Sequence, residues 1–348
     1  MSQITTVDTS DPFQFFDWDA FVTSSENGTV REAGSKLELK SYDIRENSKG
    51  DKIPLQTGKT TDFRAKLDKD YDSAMVVTKT YYSDKTLKQT ELVIRSPYIR
   101  TALKSVVKKY PGMNLMEDKI TIIGPPKCLF HFRKELLAYG RQLRDKIATQ
   151  HVAFTLNYMR TALADDTSHY ANCIAKHRGS PGLDFDRLWM EYRPGDLIFV
   201  KSKGISRVGR LVGMTCNSGV FWRRWLLELE RIICDGSELN YFVEEVQISR
   251  YDGFKHFKDL DAFPLRYHPE RESVKQAMIK RGKEFQALRG IQQRFYRGAA
   301  RWASDRKNAL DEDEDFHYEK FQVSGQQMTK LRNERRTEAG AGQESSND

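Results

Sequence analysis

The chain of 348 residues is long enough for one large domain or two ordinary ones, and its composition of 39% hydrophobic and 30% charged residues excludes wholesale disorder. No run approaches the ~20 apolar residues that cross a bilayer, and residues 1–11 lack the basic start and apolar stretch of a secretory leader. We therefore expect an intracellular protein, cytoplasmic or nuclear, without a membrane segment.

The first part of the chain predicts a tail followed by strands. Residues 1–35 hold an aromatic cluster without a clear period, which is typical of a flexible tail. Alternation over residues 36–45 predicts a strand, and a loop then extends to about residue 69. The β-branched and aromatic runs at 74–82 and 87–95 flank a short polar turn and predict a hairpin.

Helices follow the predicted hairpin. Ser96-Pro97 offers an N-cap with proline at the first helical position, and the helix should end at Tyr110-Pro111-Gly112. After a strand at 119–123, apolar spacing predicts an α-hairpin, with one helix from Cys128 to about Lys146 and a second around residues 152–163. An α+β domain over 36–164 results, and the polar stretch 165–182 is predicted to be a loop or linker.

A second domain is predicted over residues 183–307. Five short strands with Asp-Gly turns indicate a small antiparallel β-barrel or rolled sheet. A basic C-terminal helix follows, and residues 308–348 are expected to be a disordered acidic and polar tail. The predicted fold class is thus α+β.

The candidate chemical motifs are incomplete. Gly58-Lys59-Thr60 resembles the end of a phosphate-binding loop, but Ile53 stands where the first glycine is needed. His268-Pro269-Glu270 has the spacing of a zinc deaminase without the downstream cysteine pair. Zinc needs three or four ligands, and Cys128 with His131 supplies two. We therefore predict no catalytic residue, no cofactor and no metal site.

The cysteines are too widely spaced for a disulfide framework or a metal knuckle. Each is interpreted as a small buried hydrophobic residue. The four are Cys128, Cys173, Cys216 and Cys234.

Residues 270–307 carry the densest positive charge, with eleven Lys or Arg against four Asp or Glu. Cations interleaved with aromatic rings are typical of surfaces that bind nucleic acid or another polyanion. An amphipathic helix whose aromatic residues pack on the barrel accounts for the same residues. The polyanion hypothesis names Lys280, Arg281, Lys283, Arg289 and Arg294 as contacts.

An ordered series of segments resembles the uncharacterised region that precedes the ATPase in a group of fungal AAA+ ATPases. The resemblance extends over roughly residues 87–300 and is carried by residues 92–99, 110–112, 127–136, 184–189, 194–197, 263–269, 281–285 and 296–300. In that family nucleotide hydrolysis belongs to the downstream module, whose phosphate loop and acidic pair have no counterpart in this sequence. The resemblance therefore implies an accessory region and carries over no activity.

Three functional hypotheses remain. The first is a non-enzymatic accessory or scaffold protein that acts through protein contacts, with a protein partner such as an AAA+ ATPase paralogue. The second is a protein that binds nucleic acid or another polyanion through residues 270–307. The third is an enzyme whose active-site residues come from distant positions in the sequence.

Overall fold

The structure is a computed structural model that describes residues 32–46, 52–54, 71–177, 179–201, 207–219, 222–234, 238–287, 298–300 and 319–321. The chain divides into two compact units. The first comprises residues 1–230 and 244–269, and the second comprises residues 231–243 and 270–348. Helices and open sheets together make an α+β protein, so the predicted fold class is confirmed.

A five-stranded sheet occupies the beginning of the first unit. Its strands are β1 (Lys36–Glu46), β2 (Lys52–Pro54), β3 (Ser73–Tyr81), β4 (Leu87–Ile94) and β5 (Ile120–Ile123). Their order is β2-β1-β3-β4-β5, with β1 and β3 parallel and the other pairs antiparallel. The predicted hairpin is confirmed as β3 and β4, whereas the short strand β2 lies in a stretch that was predicted to be a loop.

The first helix, α1 (Pro97–Val106), begins where the sequence predicts. The Ser96 hydroxyl accepts a hydrogen bond from the backbone N–H of Ile99, and Pro97 occupies the first turn. Its apolar face is buried through Ile99, Ala102 and Leu103. The predicted start of this helix is confirmed, because the N-cap at Ser96 and the apolar period that follows it indicate the same first turn.

Three more helices follow: α2 (Lys127–His131), α3 (Arg133–Gln142) and α4 (Lys146–Ala162). The single helix predicted from Cys128 to Lys146 is wrong, because the backbone leaves helical geometry at Phe132, with φ −105° and ψ 15°. Asp145 caps α4 by accepting a 2.9 Å hydrogen bond from the Ile147 N–H.

The predicted loop or linker at 165–182 is corrected by a fifth helix, α5 (Ala164–Lys176). No residue of α5 is buried, and the segment was predicted to be a loop because it is mainly polar and is followed by glycine and proline. Polar contacts support it: the Thr167 hydroxyl donates to the Leu163 carbonyl at 2.8 Å, and two aspartates in the first turn favour the helix dipole.

The rest of the first unit is built on short antiparallel strands. A two-stranded ladder joins β6 (Gly182–Asp184) to β11 (Phe254–His256). A second sheet has five strands, which are β7 (Leu197–Val200), β8 (Arg207–Ser218), β9 (Arg223–Cys234), β10 (Leu239–Ser249) and β12 (Ala262–Pro264). A Cβ at position 182 would lie 2.1 Å from the Lys255 carbonyl oxygen, so the approach of β6 to β11 requires glycine.

The second sheet has the order β10-β9-β8-β7-β12, with β10 and β12 at its edges. Two edges remain among the described strands, so the sheet is open. Of the two predicted forms, a β-barrel or a rolled sheet, the barrel is therefore wrong. Turn chemistry and strand length are local properties, whereas closure depends on a long-range pairing of the two edge strands.

The described parts of the second unit include the ends of β9 and β10 and the helix α6 (Arg271–Ala287). Two three-residue strands, β13 (Gly298–Ala300) and β14 (Glu319–Phe321), pair antiparallel, and β14 falls within the predicted disordered tail. The rest of that tail, and the N-terminal tail up to residue 31, lie outside the described residues. No helix in the described part of the chain is long and apolar enough to span a bilayer.

Candidate functional site

The predicted polyanion contacts divide between described and undescribed residues. Lys280, Arg281 and Lys283 lie exposed on α6, while Arg289 and Arg294 lie outside the described residues. No side chain of α6 is buried, and Phe285 is 38% exposed. The other aromatic residues of the segment, Phe295, Tyr296 and Trp302, lie outside the described residues, so the alternative in which the aromatics pack on the barrel stays a prediction. The described cations of α6 are exposed on its surface.

The Cys128 and His131 pair is a core element. Both residues are buried, and the two ring nitrogens of His131 lie 2.7 Å from the Trp189 carbonyl oxygen and 2.9 Å from the Tyr110 hydroxyl. Burial lowers the pKa of His131 to about 4 and raises the pKa of the Cys128 thiol to about 12. With both nitrogens engaged, the imidazole is unsuited to a metal.

Of the other two motifs, only His268-Pro269-Glu270 lies within the described residues. Gly58-Lys59-Thr60 lies outside the described residues. His268 follows a short 3₁₀ turn, and its ring packs 4.5 Å from the Phe199 ring, centroid to centroid.

A buried carboxylate, Glu191, is the centre of a polar network. It accepts hydrogen bonds from the hydroxyls of Tyr170 and Tyr267, the second at 2.6 Å, and from the Arg266 guanidinium. Burial alone would raise the pKa of Glu191, but the charge of Arg266 and these donors outweigh it and hold the pKa below its usual value. The network joins α5, the turn after β6 and the turn after β12, which is a structural role.

A shallow cleft of ≈ 260 Å³ lies beside α3 and α4. Its lining is mainly apolar, and Arg141 and Thr149 are its polar members. An active site needs a nucleophile activated by a base, or a metal. The one hydroxyl that lines this cleft, on Thr149, donates to the Asp145 carbonyl at 2.9 Å, and no base is among the lining residues.

Metal-ligating side chains meet between α5 and β6. His169 and Cys173 lie four residues apart on one face of α5, and Asp184 ends β6. His169 Nε2 lies 2.8 Å from Asp184 Oδ1 and 3.3 Å from Cys173 Sγ. The three ligand atoms all lie within 4.8 Å of one another, and all three residues are partly exposed.

The surroundings of this His-Cys-Asp cluster hold it in place. Arg187 Nη1 lies 3.2 Å from Asp184 Oδ2, and Arg187 Nε donates to Asp166 Oδ1 at 2.9 Å. Burial, and next the charge of Asp184, raise the pKa of the Cys173 thiol. Asp184 Oδ1 is itself buried and accepts no hydrogen bond within the described part of the chain.

Sequence reasoning missed the His-Cys-Asp cluster. Cys173 was predicted to be a buried hydrophobic residue, but it is partly exposed beside His169. The i, i+4 spacing of His169 and Cys173 is visible in the sequence once the segment is known to be helical. The approach of Asp184 depends on the tertiary packing of β6 against α5, which has no local signal.

Apolar side chains are exposed where β9 and β10 approach their connection. Tyr241 is 71% exposed, Ile232 57% and Val243 49%. Among the strands that the structure describes, β10 is also at the edge of its sheet. The exposed group, here called the β9–β10 patch, consists of Ile232, Ile233, Leu239, Tyr241, Phe242 and Val243.

Comparison with known proteins gives one match. Residues 174–269 match a family described as a domain of unknown function, DUF7025. The matched segment includes Asp184 and all five strands of the second sheet, and it starts directly after Cys173. No curated protein and no solved structure matches the chain.

Proposed function

We propose that the chain is a non-enzymatic, intracellular accessory or scaffold protein that acts through protein–protein contacts. The resemblance to the region before the ATPase in fungal AAA+ ATPases supports this proposal and makes such an ATPase a candidate partner. The observation that carries it is the β9–β10 patch.

The patch has the character of a contact surface. Its exposed apolar residues are grouped at the ends of two neighbouring strands, and they fall on both faces because side chains alternate along a strand. Monomeric proteins usually expose single apolar residues. Each of its six members lies within two residues of another member in the sequence. Burying such side chains against a partner contributes about 25 cal/mol per Å² of apolar area.

The edge position of β10 indicates the kind of partner. An edge strand offers backbone N–H and C=O groups to an extended segment of another protein, and exposed side chains beside it supply specificity. We therefore propose an extended, apolar peptide segment as the occupant. The partner segment adds a strand alongside β10.

Affinity purification from the native cell, with full-length wild-type and variant chains as bait, tests the proposal. Val243→Lys places a positive charge in the patch. Glu245→Lys is the control, because it introduces lysine on the same face of β10 but outside the patch. We expect a partner that binds wild type and Glu245→Lys and is lost with Val243→Lys, with all three chains showing the same thermal unfolding. Recovery of no partner, or of one that Val243→Lys leaves unaffected, contradicts the proposal.

A second candidate function is binding of nucleic acid or another polyanion. It is favoured by the exposure of Lys280, Arg281 and Lys283, which lie within about one turn of α6. Phosphate contacts of this kind give sequence-independent, salt-sensitive affinity. Glu272 and Glu284 on the same helix reduce the positive potential of its surface, so protein contact remains the leading function.

A further inference from the structure

We propose that His169, Cys173 and Asp184 bind one Zn²⁺ ion. The site joins helix α5 to strand β6 and stands apart from the function proposed above. It rests on the geometry of the cluster, on the buried oxygen of Asp184 and on the chemistry of the three ligands.

The separations of the ligand atoms fit a single small ion. With Zn–N about 2.0–2.1 Å and Zn–S about 2.3 Å, tetrahedral coordination places N and S about 3.5 Å apart. The observed distance between His169 Nε2 and Cys173 Sγ is 3.3 Å, and Nε2 lies 2.8 Å from Asp184 Oδ1. Since Sγ and Oδ1 also lie within 4.8 Å of each other, side-chain adjustments on the order of 1 Å bring the three atoms to a common ion.

Asp184 is prepared as a ligand. Its Oδ1 atom is buried without a hydrogen bond from the described residues, although it lies 2.8 Å from a ring nitrogen. A buried carboxylate oxygen without a donor is costly, and a cation satisfies it. The other oxygen, Oδ2, is bonded to Arg187, which fixes the direction in which Oδ1 points.

The charges also balance. A thiolate at Cys173, a carboxylate at Asp184 and a neutral imidazole at His169 together offer two negative charges to a divalent cation. The neighbouring Arg187 cation is compensated by Asp166, 2.9 Å away. Binding would release the thiol proton of Cys173, because a metal-bound thiol is deprotonated.

The mixture of sulfur, nitrogen and oxygen ligands selects the metal. Mg²⁺ and Ca²⁺ require oxygen ligands, whereas Zn²⁺ accepts Cys, His and Asp in one tetrahedral site. Three protein ligands leave a fourth position, which we assign to water. His169 is 43% exposed at its side chain, so solvent and the ion have access to the cluster.

The test is metal binding by the full-length, untagged chain after removal of bound metal with a chelator. Titration with Zn²⁺ in competition with a chromophoric chelator should show a one-equivalent component, which is one Zn²⁺ ion bound per chain. Adding that equivalent should raise the thermal unfolding temperature of the protein. We expect His169→Ala, Cys173→Ser and Asp184→Asn each to weaken this binding at least tenfold. Substitution with Co²⁺ should give a thiolate-to-cobalt absorption band that Cys173→Ser removes.

Cys216→Ser is the matched control, since Cys216 is also a free and partly exposed cysteine. It should keep both the affinity and the cobalt band. Because metal-free unfolding is measured for every variant, a folding defect is distinguished from a lost ligand. Absence of the one-equivalent component in the wild type, or its persistence in Cys173→Ser, overturns the proposal.

Discussion

The hydroxyl of Ser96 lies 2.8 Å from Nδ1 of His151, with both residues buried. The same hydroxyl oxygen accepts the backbone N–H of Ile99 and so caps α1. One side chain therefore fixes the start of a helix and its contact with α4. Because Ser96 and His151 are almost fully enclosed, the pair is a structural link and has no access to a substrate.

Replacement of Ser96 by alanine tests this link. Ser96→Ala removes a helix cap and leaves the buried Nδ1 of His151 without its hydrogen-bond partner, so we expect a loss of about 1–3 kcal/mol in the free energy of unfolding. Urea denaturation followed by circular dichroism measures it. Ser105→Ala is the control, because its hydroxyl is an exposed donor to the Thr101 carbonyl in the same helix, and its cost should stay near about 0.5 kcal/mol. Equal losses for the two variants would contradict the assigned role.

The stability of the first unit should decrease in weak acid because of two buried histidines. Burial lowers the pKa of both His131 and His151 from 6.5 to about 4. Below pH 6.5 the unfolded chain binds protons that the folded chain does not, so folding becomes less favourable as the pH falls from about 6.5 to about 4. At about 1.4 kcal/mol for each unit of pKa shift, each histidine contributes on the order of a few kcal/mol to the decrease.

Unfolding free energies measured by urea denaturation at pH 7, 6, 5 and 4 check this prediction. His151→Gln should be less stable at pH 7 but should show a smaller loss between pH 7 and 4. A variant whose pH dependence equals that of wild type would argue that His151 is protonated in the folded chain.

Local signals account for the parts of the fold that were predicted correctly. The β3–β4 hairpin follows from two β-branched runs and a turn in which Asp84 accepts hydrogen bonds from the N–H and hydroxyl of Thr86. Helix α5 was missed because it is held by polar contacts, among them the hydrogen bond from Tyr170 to Glu191, and buries no residue. The polar composition of the segment, and the glycine and proline that follow it, favoured a loop over a helix.

The candidate sites depend even more on tertiary structure. Glu191 and Arg266 are separated by 75 positions in sequence, and Asp184 reaches His169 only through the packing of β6. The exposed apolar residues of β10 were predicted as strand residues, but their exposure depends on β10 being an edge. A closed barrel would have paired that edge and buried more of the strand.

Removal of Arg266 should expose the cost of the buried carboxylate. Arg266→Met leaves Glu191 with two hydroxyl donors and no compensating charge, and we expect a loss of about 2–4 kcal/mol. The value lies below that of a fully enclosed pair because the Arg266 side chain is 39% exposed. Thermal and urea unfolding measure the loss.

The matched control for Arg266→Met is an exposed ion pair. Asp252→Asn removes the partner of Arg250. The Asp252 side chain is 95% exposed and the Arg250 side chain 63% exposed, so this variant should change the free energy of unfolding by less than about 1 kcal/mol. If Arg266→Met and Asp252→Asn lost the same amount of unfolding free energy relative to wild type, the Glu191 network would contribute no more to stability than an exposed ion pair.

The polyanion hypothesis predicts that α6 binds a single-stranded oligonucleotide with strong salt dependence. Replacing Lys280, Arg281 and Lys283 by Glu should abolish binding of a fluorescent oligonucleotide, measured by anisotropy, because the phosphate contacts become repulsive. Wild-type affinity should fall at least tenfold between 50 mM and 200 mM salt. The control is the replacement by Glu of three exposed lysines around the end of α1, namely Lys104, Lys108 and Lys109. This variant should keep most of the affinity for the oligonucleotide. Binding that is absent in wild type, independent of salt or equally lost in both triple variants would contradict a specific role of α6.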